Sequence, residues 1–303
     1  MPDPIATPQG ASPFTAAMKL MPSAEALAAL GAHLRTVDEP ELSLPGDVAA
    51  ALRELARSLG IDPGAPRDER LAAVGMIRAL LRQALDLVEA PDRAPGWTAP
   101  DPELLEAQGR MSIGVAHALA DASPSLGDLA TRLASDDGAF LDVGCGVGWL
   151  AITMARRFPR LRVGALDRFD AALRLAERHV HEERLQERVR LIAADVQELA
   201  EQGAYDAVWL PGPFLGREVV GPALHATARA LRPGGWVLFG MYGGPEDALS
   251  RSLADLRSVR SGGHPWTAPE LVSALEAAGL PGAHELSRTW TASLRLVVAQ
   301  KPG

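Results

Sequence analysis

The segment Leu141–Leu150, LDVGCGVGWL, constrains the fold more than any other part of the chain. An apolar run reaches Asp142, glycines alternate at positions 144, 146 and 148, and a helical pattern starts at once with Trp149. Glycines allow a tight turn and let backbone N–H groups approach a ligand without an intervening Cβ. The amino terminus of the following helix adds a partial positive charge at the same place. The segment therefore predicts a strand, a ligand-binding loop and a helix in succession.

A dinucleotide-binding loop is one interpretation of this segment, and a purely structural turn is another. The dinucleotide pattern G-x-G-x-x-G uses its third glycine for close packing of the helix against the strand. Trp149 occupies that third position here. A bulky side chain at this place disfavours NAD or FAD as the ligand.

Apolar runs alternate with helical segments through most of residues 136–303. Such crossovers imply a parallel sheet with helices on both faces. Near the end, Thr267 and Glu270 form a capping-box pattern that starts a helix, and Gly279 closes it. The last two apolar runs are too close for a crossover and should pair antiparallel. We predict an α/β fold, a Rossmann-like seven-stranded mostly parallel sheet with an antiparallel last strand. The strands are expected at 139–143, 161–166, 189–193, 204–210, 235–241, 284–290 and 294–300.

The first 135 residues have helical periodicity and no convincing strand. Residues 1–22 contain five prolines and are expected to be a loose arm. Helices are predicted at 24–34, 47–59, 70–88, 102–122 and about 126–133. We expect residues 1–135 to be an all-helical lid or dimerisation domain, and residues 136–303 to be a separate ligand-binding domain.

The glycine segment resembles motif I of the class I S-adenosylmethionine-dependent methyltransferases, a Rossmann-like family, here of the small-molecule type. Later segments resemble the family in order and spacing: an acid after each of the next two strands, and the turn Leu231–Gly235 (LRPGG) before the fifth. The resemblance implies that Asp142 helps to hold the methionine end of the cofactor, that Asp167 accepts from the ribose hydroxyls, and that Asp195 accepts from the adenine amino group.

The resemblance further implies the full set of residues that line S-adenosylmethionine and its product S-adenosylhomocysteine. They are Asp142, Gly144, Cys145, Gly146, Gly148, Asp167, Arg168, Phe169, Asp195, Val196, Leu210 and Pro211. Cys145 has no obvious base beside it in the sequence, so we interpret it as a small residue of the loop and not as a nucleophile.

The acceptor side departs from the family pattern. Many small-molecule O-methyltransferases have a histidine base after strand four, but this chain has Pro213 and Phe214 there. The segment is similar in shape to the Asn-Pro-Pro-Tyr loop of amino-group methyltransferases, although it lacks the Asn. We therefore predict a proline-rich wall facing the methyl group. His264 and Tyr242 are candidate catalytic residues, and His117, which shares a helix with Gln108 and Ser112, is a further substrate-pocket candidate. His179 and His181 are predicted to be solvated on an amphipathic helix, and His225 is predicted to be structural.

Composition limits the partners. The formal net charge is −8, and residues 1–135 carry 11 Lys and Arg against 18 Asp and Glu. Nucleic-acid binding normally requires a basic face, so we expect no nucleic-acid partner. A single cysteine allows neither an intrachain disulfide nor a cysteine-rich zinc site, and no metal is predicted. The chain has no signal-peptide pattern and no long apolar run, so we expect a cytoplasmic protein with no membrane partner.

The favoured hypothesis is methyl transfer from S-adenosylmethionine to a small molecule, with a homodimer through the N-terminal helices as a candidate assembly. A module that binds the cofactor without methylating, or that catalyses another reaction on the same scaffold, is the main alternative. An NAD-dependent dehydrogenase is a third. The sequence leaves the acceptor, its reacting atom and the general base open.

Overall fold

The computed structural model describes residues 12–62, 64–96, 102–243, 247–290 and 292–303. The chain divides into two compact units, Met1–Leu85 and Asp86–Gly303. The sequence predicts a division at residue 135, so the units divide earlier than expected. The reason is that the helix Pro102–Ala122, predicted for the N-terminal region, makes its contacts with elements around the sheet.

The N-terminal unit is helical. Its elements are α1 (Pro13–Asp38), α2 (Gly46–Ser58) and α3 (Arg67–Glu89). The prediction of a loose arm over residues 1–22 is wrong from residue 13 onward, and residues 1–11 lie outside the described part of the chain. Pro13 fits the first helical turn, where its missing N–H costs nothing, and the Ser12 side chain caps Thr15 N–H. The helix also continues past Pro22.

A seven-stranded sheet organises the second unit, in the order β3-β2-β1-β4-β5-β7-β6. Strands β1 to β5 pair in parallel, and β7 is antiparallel to both β5 and β6. This arrangement confirms the predicted fold class. The strands are β1 (Ala139–Val143), β2 (Arg162–Asp167), β3 (Val189–Ala193), β4 (Tyr205–Pro211), β5 (Leu231–Tyr242), β6 (His284–Glu285) and β7 (Leu294–Gln300).

Strand β6 is shorter than the predicted run 284–290. The pairing with β7 ends near Glu285, and the Trp290 indole folds back to donate to Leu294 O at 2.9 Å. This bond supports an irregular connection where the sequence predicts more strand.

Seven α-helices and three short 3₁₀ turns accompany the sheet. Thr267 and Glu270 form the predicted capping box at the start of α10, and Gly279 follows that helix with φ of 83°. Helix α9 was not predicted. The helices are α4 (Pro102–Ala122), α5 (Leu129–Ala134), α6 (Trp149–Arg157), α7 (Asp170–Glu182), α8 (Arg217–Ala230), α9 (Ala248–Arg260) and α10 (Ala268–Ala277). The 3₁₀ turns are 123–125, 196–198 and 212–214.

The two central strands, β1 and β4, are buried along their whole length, as expected for strands of a parallel sheet covered on both faces. One buried carboxylate fixes their amino ends: Asp206 pairs with Arg132 at 2.8 Å and with Arg232 at 2.6 Å. The same carboxylate accepts from the backbone N–H of Ala139 at 2.9 Å. This ion cluster lies at the edge of the sheet opposite the glycine loop, so it positions the strands without taking part in the site.

No described helix is both long and apolar enough to cross a membrane. No described group of His, Cys, Asp and Glu side chains could hold a metal ion.

Candidate active site

The glycine loop joins β1 to α6 in a conformation that requires its glycines. Gly144, Gly146 and Gly148 have φ of 67°, 55° and 87°, the left-handed region that other residues rarely adopt. The N–H of Cys145 donates to Leu166 O at 2.9 Å and ties the loop to β2. No described atom lies within 4 Å of the place where a Cβ on Gly146 would stand. The loop therefore offers an open, backbone-lined cradle, as the sequence predicts.

Asp142 lies on β1 directly before the loop and is fully buried. One part of its carboxylate accepts from the backbone N–H of Ala151 in the first turn of α6, so Asp142 caps the helix that Gly148 begins. Its Oδ2 has no hydrogen-bond partner among the described residues. Burial, and then the nearby charge of Asp167, raise the pKa of Asp142 well above its ordinary value. A buried acceptor without a partner is costly, and a bound cation would satisfy it.

Asp167 lies at the tip of β2 and faces the same loop. Its Oδ2 accepts from Gly146 N–H at 2.8 Å and its Oδ1 from Phe169 N–H at 2.9 Å. A carboxylate has about four lone-pair positions, so each oxygen keeps the capacity for a further hydrogen bond. Asp167 therefore orders the loop and can still accept from a pair of hydroxyl groups.

Asp195 follows β3, the strand next to β2. It caps the 3₁₀ turn 196–198 by accepting from Gln197 N–H at 3.0 Å, and its other oxygen pairs with Arg168 at 3.4 Å. Arg168 is 77% exposed and Asp195 is 23% exposed. The pair connects the β2 and β3 tips at the solvent edge of the site.

The structure thus brings the predicted cofactor residues to the carboxyl ends of four adjacent strands. Val196 and Leu210 are buried there, and a Cβ on Gly144 would lie 3.1 Å from Pro211 Cγ of β4. Ligands of open α/β sheets bind at this edge. Burial, and then the charges of Asp142 and Asp167, raise the pKa of the Cys145 thiol well above its ordinary value. Cys145 is therefore held as a neutral thiol, in agreement with its interpretation as a loop residue.

The segments predicted to face the acceptor are the turn after β4 and the loop that leads to α10. Pro213 and Phe214 are in the 3₁₀ turn 212–214. A Cβ on Gly263 would lie 2.2 Å from Pro213 O, so the loop and the turn are in backbone contact. Sequence reasoning named Pro213 and His264 separately, and the structure brings their segments together.

His264 is held by polar and aromatic neighbours. Arg217 donates to its Nε2 at 2.5 Å, Glu270 lies 3.9 Å from the same atom, and the ring packs edge-on against Trp266 with centroids 4.6 Å apart. Because Arg217 is a donor, Nε2 is the unprotonated nitrogen of a neutral ring. The lone pair that a general base would use is therefore occupied.

Tyr242, the other catalytic candidate, ends β5. Burial raises its pKa, against the opposing effects of a hydrogen bond with Ser261 and the charge of Arg257, so the phenol stays neutral. Its hydroxyl is equipped to donate a hydrogen bond but not to remove a proton. His117 is exposed on α4. Its helix neighbour Ser112 donates to Gly109 O at 2.6 Å.

Sequence reasoning missed one residue of the site. The prediction that His179 is solvated is wrong, because it is 8% exposed on α7. Its Nδ1 lies 2.9 Å from Val147 O in the glycine loop, and its Nε2 lies 2.8 Å from Glu106. The available signal was its spacing of three residues from Ala176 and four from Leu175, both of which are buried. His181 is exposed, as predicted, and His225 is exposed on α8.

Part of this chain is similar to known methyltransferases. A family model described as a methyltransferase domain matches residues 140–235. The malonyl-[acyl-carrier protein] O-methyltransferase of Priestia megaterium is 28% identical over 118 residues, 39% of this chain and 42% of that protein. The ubiquinone biosynthesis O-methyltransferase of Alkalilimnicola ehrlichii is 33% identical over 137 residues, 42% of this chain and 52% of that protein. The chain thus spans about half the length of these curated relatives.

Solved structures extend the likeness to nearly the whole chain. Human N-acetylserotonin methyltransferase in complex with S-adenosylmethionine aligns with a TM-score of 0.64 and 14% identity, over 98% of this chain and 100% of that one. At this identity the match shows the fold. The matched domain contains the glycine loop and all three carboxylates described above. By the family match, residues 140–235 form a methyltransferase domain.

Proposed function

We propose that the chain transfers a methyl group from S-adenosylmethionine to an oxygen atom of a small-molecule acceptor. The observation that carries the proposal is the convergence of Asp142, Asp167 and Asp195 around an open glycine cradle, with the buried Asp142 Oδ2 lacking a partner among the described residues. The O-methyltransferase names of the curated relatives support oxygen as the accepting atom. The acidic net charge of −8 supports a small molecule over a nucleic acid as the acceptor.

The residues fit the cofactor from one end to the other. Asp142 would accept from the ammonium of its methionine portion, which supplies the cation that Oδ2 lacks. Asp167 would accept from the two ribose hydroxyls with the lone pairs that Gly146 and Phe169 leave free. Asp195 would accept from the adenine amino group, beside its ion pair with Arg168. The left-handed glycines allow the backbone to approach the ligand closely.

The bound cofactor supplies a methyl group on a sulfonium, which an acceptor oxygen attacks in line. The task of the protein is to hold that oxygen in position and to exclude water, and alignment of this kind lowers a barrier by ~7–11 kcal/mol. The wall made by Pro211, Pro213 and Phe214 is rigid because two proline rings fix its backbone and because the Gly263 loop presses against Pro213 O.

Proton removal from the acceptor requires a change at His264. Its Nε2 becomes a base only when Arg217 moves to another partner, and Glu270 already accepts from Arg217 at 3.1 Å. We propose that acceptor binding draws Arg217 fully onto Glu270 and frees His264. Tyr242 would donate a hydrogen bond to the acceptor and keep its own proton.

The decisive experiment uses purified protein, radiolabelled S-adenosylmethionine and a panel of phenols, catechols and carboxylic acids. Transfer of label to at least one oxygen acceptor, with release of S-adenosylhomocysteine, is expected. Tight binding of S-adenosylhomocysteine without transfer to any acceptor would favour the non-methylating alternative. Stabilisation by NAD and not by S-adenosylhomocysteine in a thermal-shift assay would favour the dehydrogenase.

The N-terminal unit supports a separate proposal about assembly. Phe14, Met18 and Met21 lie at helical spacing on α1 and are 76%, 47% and 44% exposed. We propose that this apolar stripe packs against a second copy of the chain. Light scattering should report a dimer for the wild type and a monomer for the variant Phe14→Glu/Met18→Glu, and a wild-type monomer at high concentration would contradict the proposal.

A further inference from the structure

An ion pair between His179 and Glu106 lies next to the glycine loop; the side chain of His179 is 10% exposed and that of Glu106 is 31% exposed. His179 of α7 contacts the loop at Val147 O and contacts α4 at Glu106. Val147 stands between Gly146 and Gly148, two of the three left-handed positions of the loop. The ring of His179 therefore connects the backbone of the cofactor loop to a helix outside the sheet.

Helix α4 packs against the glycine loop at Val147. A Cβ on Gly109 would lie 2.1 Å from Val147 Cγ2, so only a glycine lets the helix backbone come this near. The Trp149 indole lies 4.7 Å from the His179 ring and receives the Arg110 guanidinium over its face at 3.9 Å. The loop is thus enclosed from behind by the backbone of α4, by two aromatic rings and by the charges of Glu106 and Arg110.

The hydrogen bonds of His179 define its protonation state. Val147 O is a carbonyl oxygen and only accepts, so Nδ1 carries a proton. Burial acts to raise the pKa of Glu106, but the hydrogen bond with His179, the charge of His179, the hydrogen bond from Trp149 and the charge of Arg110 together outweigh burial and lower the pKa of the carboxyl overall. Glu106 is therefore an ionised acceptor, and Nε2 also carries a proton. With both nitrogens donating, the ring is an imidazolium.

The opposing effects on His179 favour this charged state. Burial acts to lower its pKa, but the hydrogen bonds to Glu106 and Val147 O, together with the charge of Glu106, outweigh burial and raise the pKa above its ordinary value. Arg110 acts weakly in the opposite direction. Deprotonation removes either the bond that fixes Val147 O or the bond to Glu106, and in both cases it leaves Glu106 without its cation.

We propose that His179, paired with Glu106, is a positioning residue that holds the Val147 carbonyl of the cofactor loop, and that its loss of a proton weakens cofactor binding. This inference rests on the proposed cofactor site, and it adds that the affinity of this site for the cofactor depends on pH. Because the folded state favours the protonated ring, the stabilisation of the loop is fully present at low pH and is lost as the pH rises through the raised pKa of His179.

The test is calorimetric titration of the whole protein with S-adenosylhomocysteine and with 5′-methylthioadenosine, from about pH 6 to about pH 9, around the ordinary pKa range of histidine. The second ligand lacks the amino-acid portion, so Asp142 does not contribute to its pH dependence. For the wild type we expect Kd for both ligands to rise about tenfold across the range, the effect of losing one hydrogen bond to a charged group.

Variants separate positioning from general stability. His179→Leu should bind about tenfold more weakly at low pH and show no pH dependence for 5′-methylthioadenosine. His179→Asn keeps a donor near Val147 O but cannot titrate, so it should bind at intermediate strength with a flat profile. His181→Leu changes an exposed histidine on the same helix and should retain the wild-type profile. Gly109→Ala should weaken binding, whereas Gly114→Ala, where no described atom lies within 4 Å of the added Cβ, should not.

The outcomes distinguish this inference from the proposed function. Failure of the wild type to bind either ligand at any pH would defeat the cofactor site itself. Binding with a pH profile that His179→Leu leaves unchanged would overturn the role of His179 and keep the site. If His179→Leu does not fold, proton uptake on wild-type binding of 5′-methylthioadenosine, measured in buffers of different ionisation enthalpy, decides the question. Its absence at every pH between about pH 6 and about pH 9 would overturn the inference.

Discussion

Replacement of Asp167 by alanine tests the central contact of the site. The structure gives this carboxylate two protein donors, Gly146 N–H at 2.8 Å and Phe169 N–H at 2.9 Å, which leaves lone pairs to accept from the two ribose hydroxyls of the proposed cofactor. A hydrogen bond to a charged group contributes roughly 1.5–3 kcal/mol. Loss of both ribose contacts, offset in part by solvation of the hydroxyls, should weaken S-adenosylhomocysteine binding by about 3 kcal/mol, or about two orders of magnitude in Kd.

A weaker Kd alone would not identify the cause, because Asp167→Ala also frees Gly146 N–H and loosens the loop. A ligand without the two ribose hydroxyls separates the two effects. For the wild type, this dideoxy ligand should bind about two orders of magnitude more weakly than the natural ligand, and any further loss of affinity in Asp167→Ala measures the effect of the loosened loop. For the variant, the two ligands should bind almost equally, because the contact between Asp167 and the ribose is already lost. The free-energy difference between the two ligands in the wild type, minus the same difference in the variant, is the coupling energy between Asp167 and the ribose hydroxyls.

Asp170→Ala is the matched control, since Asp170 is an exposed acid in the first turn of α7 and lies only three residues away. It should leave the affinity within about twofold of the wild type. The reasoning is refuted if Asp167→Ala changes Kd by less than about threefold. It is also refuted if the variant discriminates between the two ligands as strongly as the wild type does, since the ribose would then be recognised elsewhere.

Three further substitutions test other parts of the molecule. Asp142→Asn should weaken S-adenosylhomocysteine binding by about tenfold or more but leave 5′-methylthioadenosine unaffected in calorimetry, because the lost charge faces the amino-acid portion; equal losses would contradict the assignment. Asp206→Asn should lower the free energy of unfolding in urea by about 3–5 kcal/mol, since two arginines lose a buried partner, whereas exposed Asp137→Asn should change it little. Gly263→Ala places a Cβ 2.2 Å from Pro213 O and should lower kcat/KM by about tenfold with unchanged cofactor affinity. Its control, Gly221→Ala in α8, should be neutral or stabilising by about 0.5–1 kcal/mol. If the two variants have the same kcat/KM, the wall of Pro211, Pro213 and Phe214 has no role in positioning the acceptor.

Much of the sheet was predictable because its signals are local. The bounds of β1, β3 and β7 agree with the predicted apolar runs, and the capping box places the start of α10. In each case a few neighbouring residues determine the element. The same applies to the glycine loop, whose left-handed positions coincide with the glycines of the motif.

The errors have equally specific causes. Pro13 was interpreted as part of a loose arm, although proline is well tolerated in a first helical turn. The sequence predicts a division at residue 135, after α4 and α5, because helical periodicity says nothing about which surface a helix packs against. His179 was predicted to be solvated because its partners, Glu106 and Val147, are distant in sequence.

The two sides of the candidate site differ in how they are built, and this explains why one could be predicted and the other could not. Each cofactor contact comes from a strand tip and the few residues after it, so the fold itself presents Asp142, Asp167 and Asp195 together. The acceptor side depends on pairs that join separate segments, such as Gly263 with Pro213 and Arg217 with His264. If these segments line the acceptor pocket as we propose, a substitution in one of them changes the pocket without disturbing the sheet. Acceptor specificity can then diverge while the cofactor site stays constant, and the sequence motifs identify the cofactor class but not the acceptor.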